Sequence, residues 1–215
     1  MRPVKSDRAY YRHERPELVA HVRPADGNRV LDVGCGAGHV AARIKREQRA
    51  GEVWGVEVVE AAAHEARANP AVDEVRSGDL ERIVGELPDG HFSHVICGDV
   101  LEHLVDPWTA LAGLRRKLRP DGRVICSLPN VRNLSFLAML IFEGSFRYRE
   151  SGVMDRTHLR WFCRKDARAL FEGAGFADVT IGPVRPKRSL SNRASRLLLR
   201  DWATKGFLIL GRNPG

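Results

Sequence analysis

A loop of small residues follows a short apolar run early in the chain, in the stretch Val30-Leu31-Asp32-Val33-Gly34-Cys35-Gly36-Ala37-Gly38. Glycine lacks a Cβ, so its backbone can turn sharply and approach a ligand closely. A helix-forming segment, 40–49, comes directly after the loop. A strand, a tight turn and a helix N-terminus in this order predict a site for an adenosine-containing cofactor.

The spacing of the glycines separates two cofactor classes. A dinucleotide fingerprint has the spacing G-x-G-x-x-G, in which the third glycine lets the helix pack beside a pyrophosphate. Here the spacing is G-x-G-x-G, with His39 where that third glycine would stand. The pattern disfavours an NAD-dependent oxidoreductase and resembles motif I of the class I S-adenosylmethionine-dependent methyltransferases. The resemblance implies cofactor contacts from Asp32, Gly34, Cys35, Gly36 and Gly38.

Two later segments agree with this resemblance. Glu57 ends a second predicted strand about 20 residues beyond the loop, where a ribose-binding carboxylate is expected. A carboxylate suits this task because it can accept hydrogen bonds from both ribose hydroxyls. The turn Ser77-Gly78-Asp79-Leu80 resembles the family's adenine-contacting turn. The resemblance implies that Val58, Asp79 and Leu80 contact the nucleoside.

The fourth predicted strand and its continuation, Gly98-Asp99-Val100-Leu101-Glu102-His103, resemble motif IV. This resemblance implies that Gly98, Asp99, Val100 and His103 line the cofactor pocket. The segment 119–124 resembles the family's turn into the fifth strand. In related enzymes an N-terminal segment closes over the cofactor, and Tyr11 is expected in that role. An arginine of the same segment, Arg12 or Arg15, can pair with the methionine carboxylate.

The segment 155–162 resembles a subgroup of small-molecule methyltransferases that accompany glycosyltransferases in sugar, polysaccharide or lipid-conjugate pathways. The Glu102-His103 element is also shared with quinone-biosynthesis O-methyltransferases. The implied acceptor is a hydroxyl of a sugar-like molecule or glycoconjugate. A hydroxyl acceptor benefits from a general base, and histidine titrates in the useful range. His158 is the first candidate and His103 the second, with Asp155 orienting a histidine; a structural role for His158 stays open.

A metal site is a further alternative, because Asp99, Glu102, His103 and His158 can converge in principle on a hard divalent cation. The sequence contains no compact ligand spacing that would indicate such a site. We therefore expect S-adenosylmethionine as the cofactor and no metal ligand.

Alternating apolar and helical patterns predict a Rossmann-like, doubly wound α/β fold with helices on both faces of the sheet. The predicted strands are 29–34, 53–58, 74–78, 93–98, 123–128, 177–182 and 205–211. The predicted helices are 14–22, 39–49, 60–68, 107–118 and 164–174. The family resemblance implies a mostly parallel seven-stranded sheet whose antiparallel last strand inserts between its neighbours.

We expect one methyltransferase domain over residues 1–215. Its expected parts are an N-terminal cap helix (1–28), a cofactor-binding core (29–130), a lid or substrate insertion (131–163) and a C-terminal helix with strands (164–215). The insertion contains the apolar run 134–142, which suits a lid helix or an ordinary buried helix.

Composition limits the cellular setting. The chain of 215 residues is 43% hydrophobic, and its four cysteines form no C-x-x-C pair. Cys97 and Cys126 lie in strand-like apolar runs, which favours a reduced compartment. The N-terminus lacks the apolar core of a signal peptide, and no apolar run reaches the ~20 residues of a membrane span. These features predict a soluble, cytoplasmic protein, either a monomer or a homodimer.

The net charge of +8 raises the question of an anionic partner. Six basic residues and no acidic ones lie between 183 and 200. Such a run can bind RNA, a nucleotide-sugar, a lipid-phosphate carrier or a membrane surface, or it can be a solvated face, which is the commoner case.

Four functions therefore compete: a small-molecule O-methyltransferase, an RNA-modifying methyltransferase, a dinucleotide oxidoreductase and a cofactor-binding partner protein without turnover. The second is disfavoured because Gly98-Asp99-Val100-Leu101 differs from the Asn/Asp-Pro-Pro-aromatic turn of base-amine methylation. Methylation at carbon 5 of a base uses a cysteine nucleophile in a Pro-Cys pair. That pair is absent here, since Cys126 is followed by Ser127. The sequence favours the first function, with a small molecule as the partner and nucleic acid as an open alternative.

Overall fold

A computed structural model describes residues 13–184 and 201–215. In these residues seven strands, numbered along the chain, form a single sheet with the order 3-2-1-4-5-7-6. The strands are β1 (Arg29–Val33), β2 (Glu52–Glu57), β3 (Glu74–Ser77), β4 (Phe92–Gly98), β5 (Leu118–Pro129), β6 (Ala177–Pro183) and β7 (Gly206–Arg212). The pairings from β3 to β5 are parallel, whereas β7 is antiparallel to both β5 and β6. The predicted sheet and its inserted antiparallel strand are confirmed.

The helices match the predicted positions with local differences. They are α1 (Pro16–Val19), α2 (His39–Arg46), α3 (Glu60–Arg67), α4 (Leu80–Ile83), α5 (Pro107–Lys117), α6 (Leu134–Phe142) and α7 (Arg164–Gly173). The prediction of a helix over 14–22 was wrong in extent, because Arg15 adopts a left-handed φ of 45° and α1 has one turn only. A single turn such as α4 was missed because it is too short to show a helical period.

Alternation along the strands explains why helices cover both faces of the sheet. Side chains of successive strand residues point to opposite faces. Cys97 belongs to the core cluster that also contains residues of α5 and α7. Its neighbour Ile96 belongs to the cluster that contains residues of α1 and α2. The predicted two-sided architecture is therefore confirmed, and the carboxyl ends of the parallel strands are left for ligands.

Residues 131–163 contain a small cluster apart from the two main ones, built on Phe136, Met139 and Met154. The apolar run of this segment forms α6, and its last residues, Ile141 and Phe142, are exposed. Within 13–184 and 201–215, every helix is too short or too polar to span a bilayer.

Candidate active site

The glycine loop between β1 and α2 is held against β2 by backbone hydrogen bonds. The N–H groups of Gly34 and Cys35 donate to the carbonyl oxygen of Val56, at 2.8 and 3.1 Å. Gly34 has a φ of +72°, and a Cβ on it would lie 2.8 Å from the Val100 side chain. Gly38 has a φ of +81° and caps α2. Only glycine meets both conditions easily, so the loop keeps its backbone close to the β4 end.

Glu57 joins this loop to the end of β2. Its carboxylate accepts hydrogen bonds from the N–H of Gly36 at 2.9 Å and from that of Val59 at 2.8 Å. Burial raises the pKa of Glu57, while the backbone N–H groups of Val59, Gly36 and Val58 oppose this shift. The N–H of Gly78 donates to the Glu57 carbonyl oxygen at 2.9 Å, which brings the β3 turn to the same place.

Asp32 lies below the loop and is only 3% exposed. Burial raises its pKa to about 7; the charge of Glu57 adds to the shift and that of Arg15 opposes it. Within the described part of the chain, no group makes a hydrogen bond to its Oδ2. A buried carboxylate oxygen without a donor is costly, and a cationic or hydrogen-bonding ligand group would remove that cost.

The end of β4 carries a second acidic group, held by residues from distant parts of the chain. Asp99 has a left-handed φ of 57°. Its Oδ2 accepts from Arg15 Nη1 at 2.8 Å, and its Oδ1 accepts from Ser127 Oγ at 2.7 Å. Arg15 Nη2 donates to the same Ser127 hydroxyl at 2.6 Å. A Cβ on Gly98 would lie 2.9 Å from Leu18, so glycine lets α1 approach this edge.

The predicted nucleoside-binding residues lie at the ends of β2 and β3. Val58 is 54% exposed beside Glu57. Asp79 caps α4, its Oδ1 accepting from the N–H of Glu81 at 3.2 Å. Leu80 is buried in the main core cluster. These positions share one edge of the sheet with the glycine loop.

The candidate proton-transfer residues lie next to this edge. The rings of His103 and His158 stack edge to face with their centroids 4.7 Å apart. His158 Nδ1 lies 3.1 Å from the Val153 carbonyl oxygen, and its Nε2 lies 3.9 Å from Glu102 Oε1. His158 is buried and His103 only partly so, while Asp155 is 1% exposed.

Three side chains of this region could hold a metal ion between them. The possible ligand atoms of Glu102, His103 and His158 lie within 4.8 Å of one another. Asp99, which completes the set considered from the sequence, is instead bonded to Arg15 and Ser127. Three of the four residues that the sequence raised as an alternative metal site thus lie close together.

Tyr11 and the basic residues between 185 and 200 lie outside the described residues. Sequence reasoning missed Ser127 and Thr157. The signal for Ser127 is a hydroxyl residue in an otherwise apolar strand. Thr157 had no signal of its own beyond its place in the polar segment 155–162.

A family model described as a methyltransferase domain matches residues 5–181. The chain belongs to this methyltransferase family. The glycine loop between β1 and α2 and the order of the later motifs agree with membership of this family.

Curated relatives and solved structures agree with the methyltransferase fold. The chain is 36% identical over 119 residues to a ubiquinone biosynthesis O-methyltransferase of Alkalilimnicola ehrlichii, covering 54% of this chain and 47% of the relative. The methyltransferase thus spans about half the length of the curated relatives it matches. A methyltransferase of Archaeoglobus fulgidus superposes with a TM-score of 0.68 at 19% identity, covering 96% of this chain and 94% of that one. A Haloferax volcanii methyltransferase complexed with the activator Trm112 has the same TM-score at 18% identity, covering 96% and 92%.

Proposed function

We propose that this protein transfers a methyl group from S-adenosylmethionine to a hydroxyl of a small molecule, and that the crevice around Asp32 and Glu57 holds the cofactor. The observation that carries the proposal is the buried Asp32 carboxylate, whose Oδ2 lacks a donor among the described residues. The cofactor's methionine ammonium group supplies both a positive charge and hydrogen-bond donors.

The remaining parts of the cofactor have complementary groups around the same crevice. Both oxygens of Glu57 already accept backbone N–H groups, and the carboxylate keeps accepting capacity for the ribose. Arg15 forms an ion pair with Asp99 at 2.8 Å, and its guanidinium can also bind the methionine carboxylate. Val58, Asp79 and Leu80 would border the adenine. The family resemblance implies further contacts with the cofactor as a whole. We propose them for Tyr11, Gly34, Cys35, Gly36, Gly38, Gly98, Val100 and His103.

The acceptor follows from the segment 155–162 and from the relatives. We propose a sugar-like or glycoconjugate hydroxyl, because that segment resembles methyltransferases found with glycosyltransferases. The Alkalilimnicola ehrlichii relative is named an O-methyltransferase of ubiquinone biosynthesis, so quinone precursors are the acceptors to compare with sugars. The enzyme must hold the hydroxyl oxygen in line with the methyl group and exclude water, while His158, His103 and Asp155 handle the proton.

Calorimetry tests the cofactor assignment directly. The protein should bind S-adenosylmethionine and S-adenosylhomocysteine, and it should not bind NAD. Tight binding of NAD alone would overturn the proposal. Production of S-adenosylhomocysteine in the presence of nucleotide-sugars, catechols and quinone precursors then identifies the acceptor class. Cofactor binding without turnover on any acceptor in lysate fractions would favour the non-catalytic alternative.

We also propose that transfer needs no metal, because the sulfonium is already an activated electrophile. Dialysis against EDTA should leave turnover unchanged. Loss of turnover, with recovery on adding a divalent cation, would overturn this proposal, and the cluster of Glu102, His103 and His158 would then be the first candidate for the metal site.

Methylation of RNA is the second candidate, favoured by the net charge of +8. Binding to tRNA and rRNA across a salt series tests it. A steep fall of affinity with salt, together with methyl transfer to RNA, would replace the small-molecule proposal.

A further inference from the structure

A small cavity lies at the amino-terminal edge of the parallel strands. It has a volume of about 250 Å³ and is lined by Ala20, His21, Arg23, Arg123, Ile125 and Leu210. Arg123 of β5 is paired with His94 of β4, and His94 is paired in turn with Val30, near the start of β1. Parallel strands run in one direction, so these early positions share the edge opposite to the one that carries the glycine loop.

The segment that contains α1 runs between this cavity and the cofactor crevice. It begins beside Asp99, because Arg15, which precedes α1, donates to that carboxylate at 2.8 Å. Two residues that follow the helix, Ala20 and His21, line the cavity. A ligand in the cavity would therefore be bound apart from the proposed S-adenosylmethionine site.

The cavity is surrounded by positive charge that the rest of the described chain does not neutralise. Arg23 and Arg123 line it, and Arg119 lies in the same strand as Arg123. All three residues are exposed, and their guanidinium groups make no ion pair within 13–184 and 201–215. The carboxylate between the last two in sequence, Asp121, is already paired with Arg212 at 2.9 Å.

The effect of these charges reaches the protein beneath the cavity. His94 is buried beside Arg123 in the sheet. Burial lowers the pKa of His94, and the charges of Arg119, Arg123 and Arg23 act in the same direction, bringing it to about 4. One buried imidazole thus senses all three guanidinium groups, which places them around one position. Like charges repel each other there, and an anion among them would remove that repulsion.

The size and lining of the cavity indicate which anion fits. A guanidinium group presents a planar array of N–H donors that matches the oxygens of a phosphate group. The volume of about 250 Å³ is below the roughly 300–1,000 Å³ of pockets for drug-sized ligands, so a phosphoryl or diphosphate group fits better than a whole nucleotide. Sites for single-stranded nucleic acid add aromatic platforms to a long basic groove, and the lining residues include no Phe, Tyr or Trp.

We propose that this cavity binds a compact phosphate group, either as the free anion or at the end of a small molecule. Arg23 and Arg123 donate hydrogen bonds to its oxygens, and Arg119 adds to the attraction. Ile125 and Leu210 supply the apolar part of the wall. The site lies away from Asp32 and Glu57, so the inference does not depend on the proposed function.

Calorimetry on the full-length protein, in a buffer of low ionic strength without phosphate, tests the site. The probes are inorganic phosphate, diphosphate and ribose 5-phosphate, and saturable binding at one site per chain is expected. Their order of affinity separates a free anion from a phosphate monoester. Arg23→Gln and Arg123→Gln should each weaken the tightest probe about tenfold, because charge-assisted donors are lost. Arg123→Lys should keep more affinity than Arg123→Gln, since it retains the charge without the planar donor array.

Two exposed arginines elsewhere supply a matched control. Arg147 and Arg149 lie in the segment 131–163 and do not line the cavity. Arg147→Gln/Arg149→Gln removes as much charge as Arg23→Gln/Arg123→Gln, and it should keep the wild-type affinity. Urea unfolding without phosphate checks that all variants fold. The absence of saturable binding in the wild type, or an equal loss of affinity in the two double variants, would overturn the inference.

A single-stranded oligoribonucleotide provides the competing outcome. It should not displace the tightest phosphate probe from the wild type. If the oligoribonucleotide binds, loses affinity in Arg23→Gln/Arg123→Gln, and none of the three phosphate probes binds, the cavity is part of a nucleic-acid surface and the proposal is wrong. Binding of S-adenosylmethionine enters none of these measurements, so failure of the proposed function would leave the test intact.

Discussion

Replacing Asp32 with asparagine should flatten the dependence of stability on pH. Asp32 is buried, and burial raises its pKa from 3.8 to about 7, with Glu57 adding to the shift and Arg15 opposing it. In the unfolded chain the carboxyl returns to its ordinary pKa. Between these two values the folded state binds more protons than the unfolded state, so the stability of the wild type falls as pH rises.

The size of this effect follows from the two pKa values. Each pH unit within the window costs about 1.4 kcal/mol, and integration from pH 5 to pH 8 gives a loss of about 2.5 kcal/mol. Asp32→Asn cannot titrate and should not show this loss. Urea unfolding of both proteins at intervals from pH 5 to pH 8 measures the difference, in which the titrating groups that do not interact with Asp32 cancel. Stability profiles that stay parallel would refute the reasoning.

The same group should couple cofactor binding to pH. A cationic ligand group beside Asp32 favours the ionised carboxylate, so binding requires loss of a proton below pH 7. Affinity for S-adenosylhomocysteine should therefore rise from pH 5 to pH 8 in the wild type. In Asp32→Asn it should be weaker and independent of pH over this range. Calorimetry in two buffers with different ionisation enthalpies would detect the released proton, and an equal rise in both proteins would contradict the assignment.

Three further predictions use single side chains. Glu57→Ala should weaken binding of S-adenosylhomocysteine by about ten- to a hundredfold in calorimetry, because the acceptors for the ribose hydroxyls are lost. The control variant Glu60→Ala should bind as the wild type does. Equal affinities of Glu57→Ala and the wild type would contradict the role of Glu57. Gly55→Ala should lower the free energy of unfolding in urea by about 1–3 kcal/mol, since the new Cβ would lie 2.5 Å from Cys35 Sγ. The double variant Gly55→Ala/Cys35→Ala should recover part of the lost stability. Burial lowers the pKa of His94 from 6.5 to about 4, and the charges of Arg119, Arg123 and Arg23 lower it further in the same direction. Because the unfolded state then binds the proton more readily, the His94 contribution to wild-type stability should fall by about 2.5 kcal/mol from pH 6.5 to pH 4. His94→Gln should remove that acid sensitivity, and an unchanged slope would refute it.

Local chemistry made several elements predictable. The cap of α5 is an example: Asp106 precedes Pro107, which suits the first turn of a helix, and the Asp106 carboxylate accepts from the Thr109 N–H at 3.1 Å. The glycine loop is another, because positive φ angles at Gly34 and Gly38 are what a turn between a strand and a helix requires. The length of α1 was not predictable, since the left-handed Arg15 that starts it is held by contacts with β4 and β5.

The sequence by itself determined the α/β architecture, the glycine loop and the carboxylate at the end of β2. These features depend on apolar periodicity and backbone preference, which act over a few residues. Only the tertiary structure decided the bonds of Arg15 to Asp99 and Ser127, which are 84 and 112 positions away, and the pairing of His103 with Thr157. Hydrogen bonds between side chains need donors and acceptors within about 3 Å, and that proximity exists only after the strands have paired and the segment 155–160 has docked.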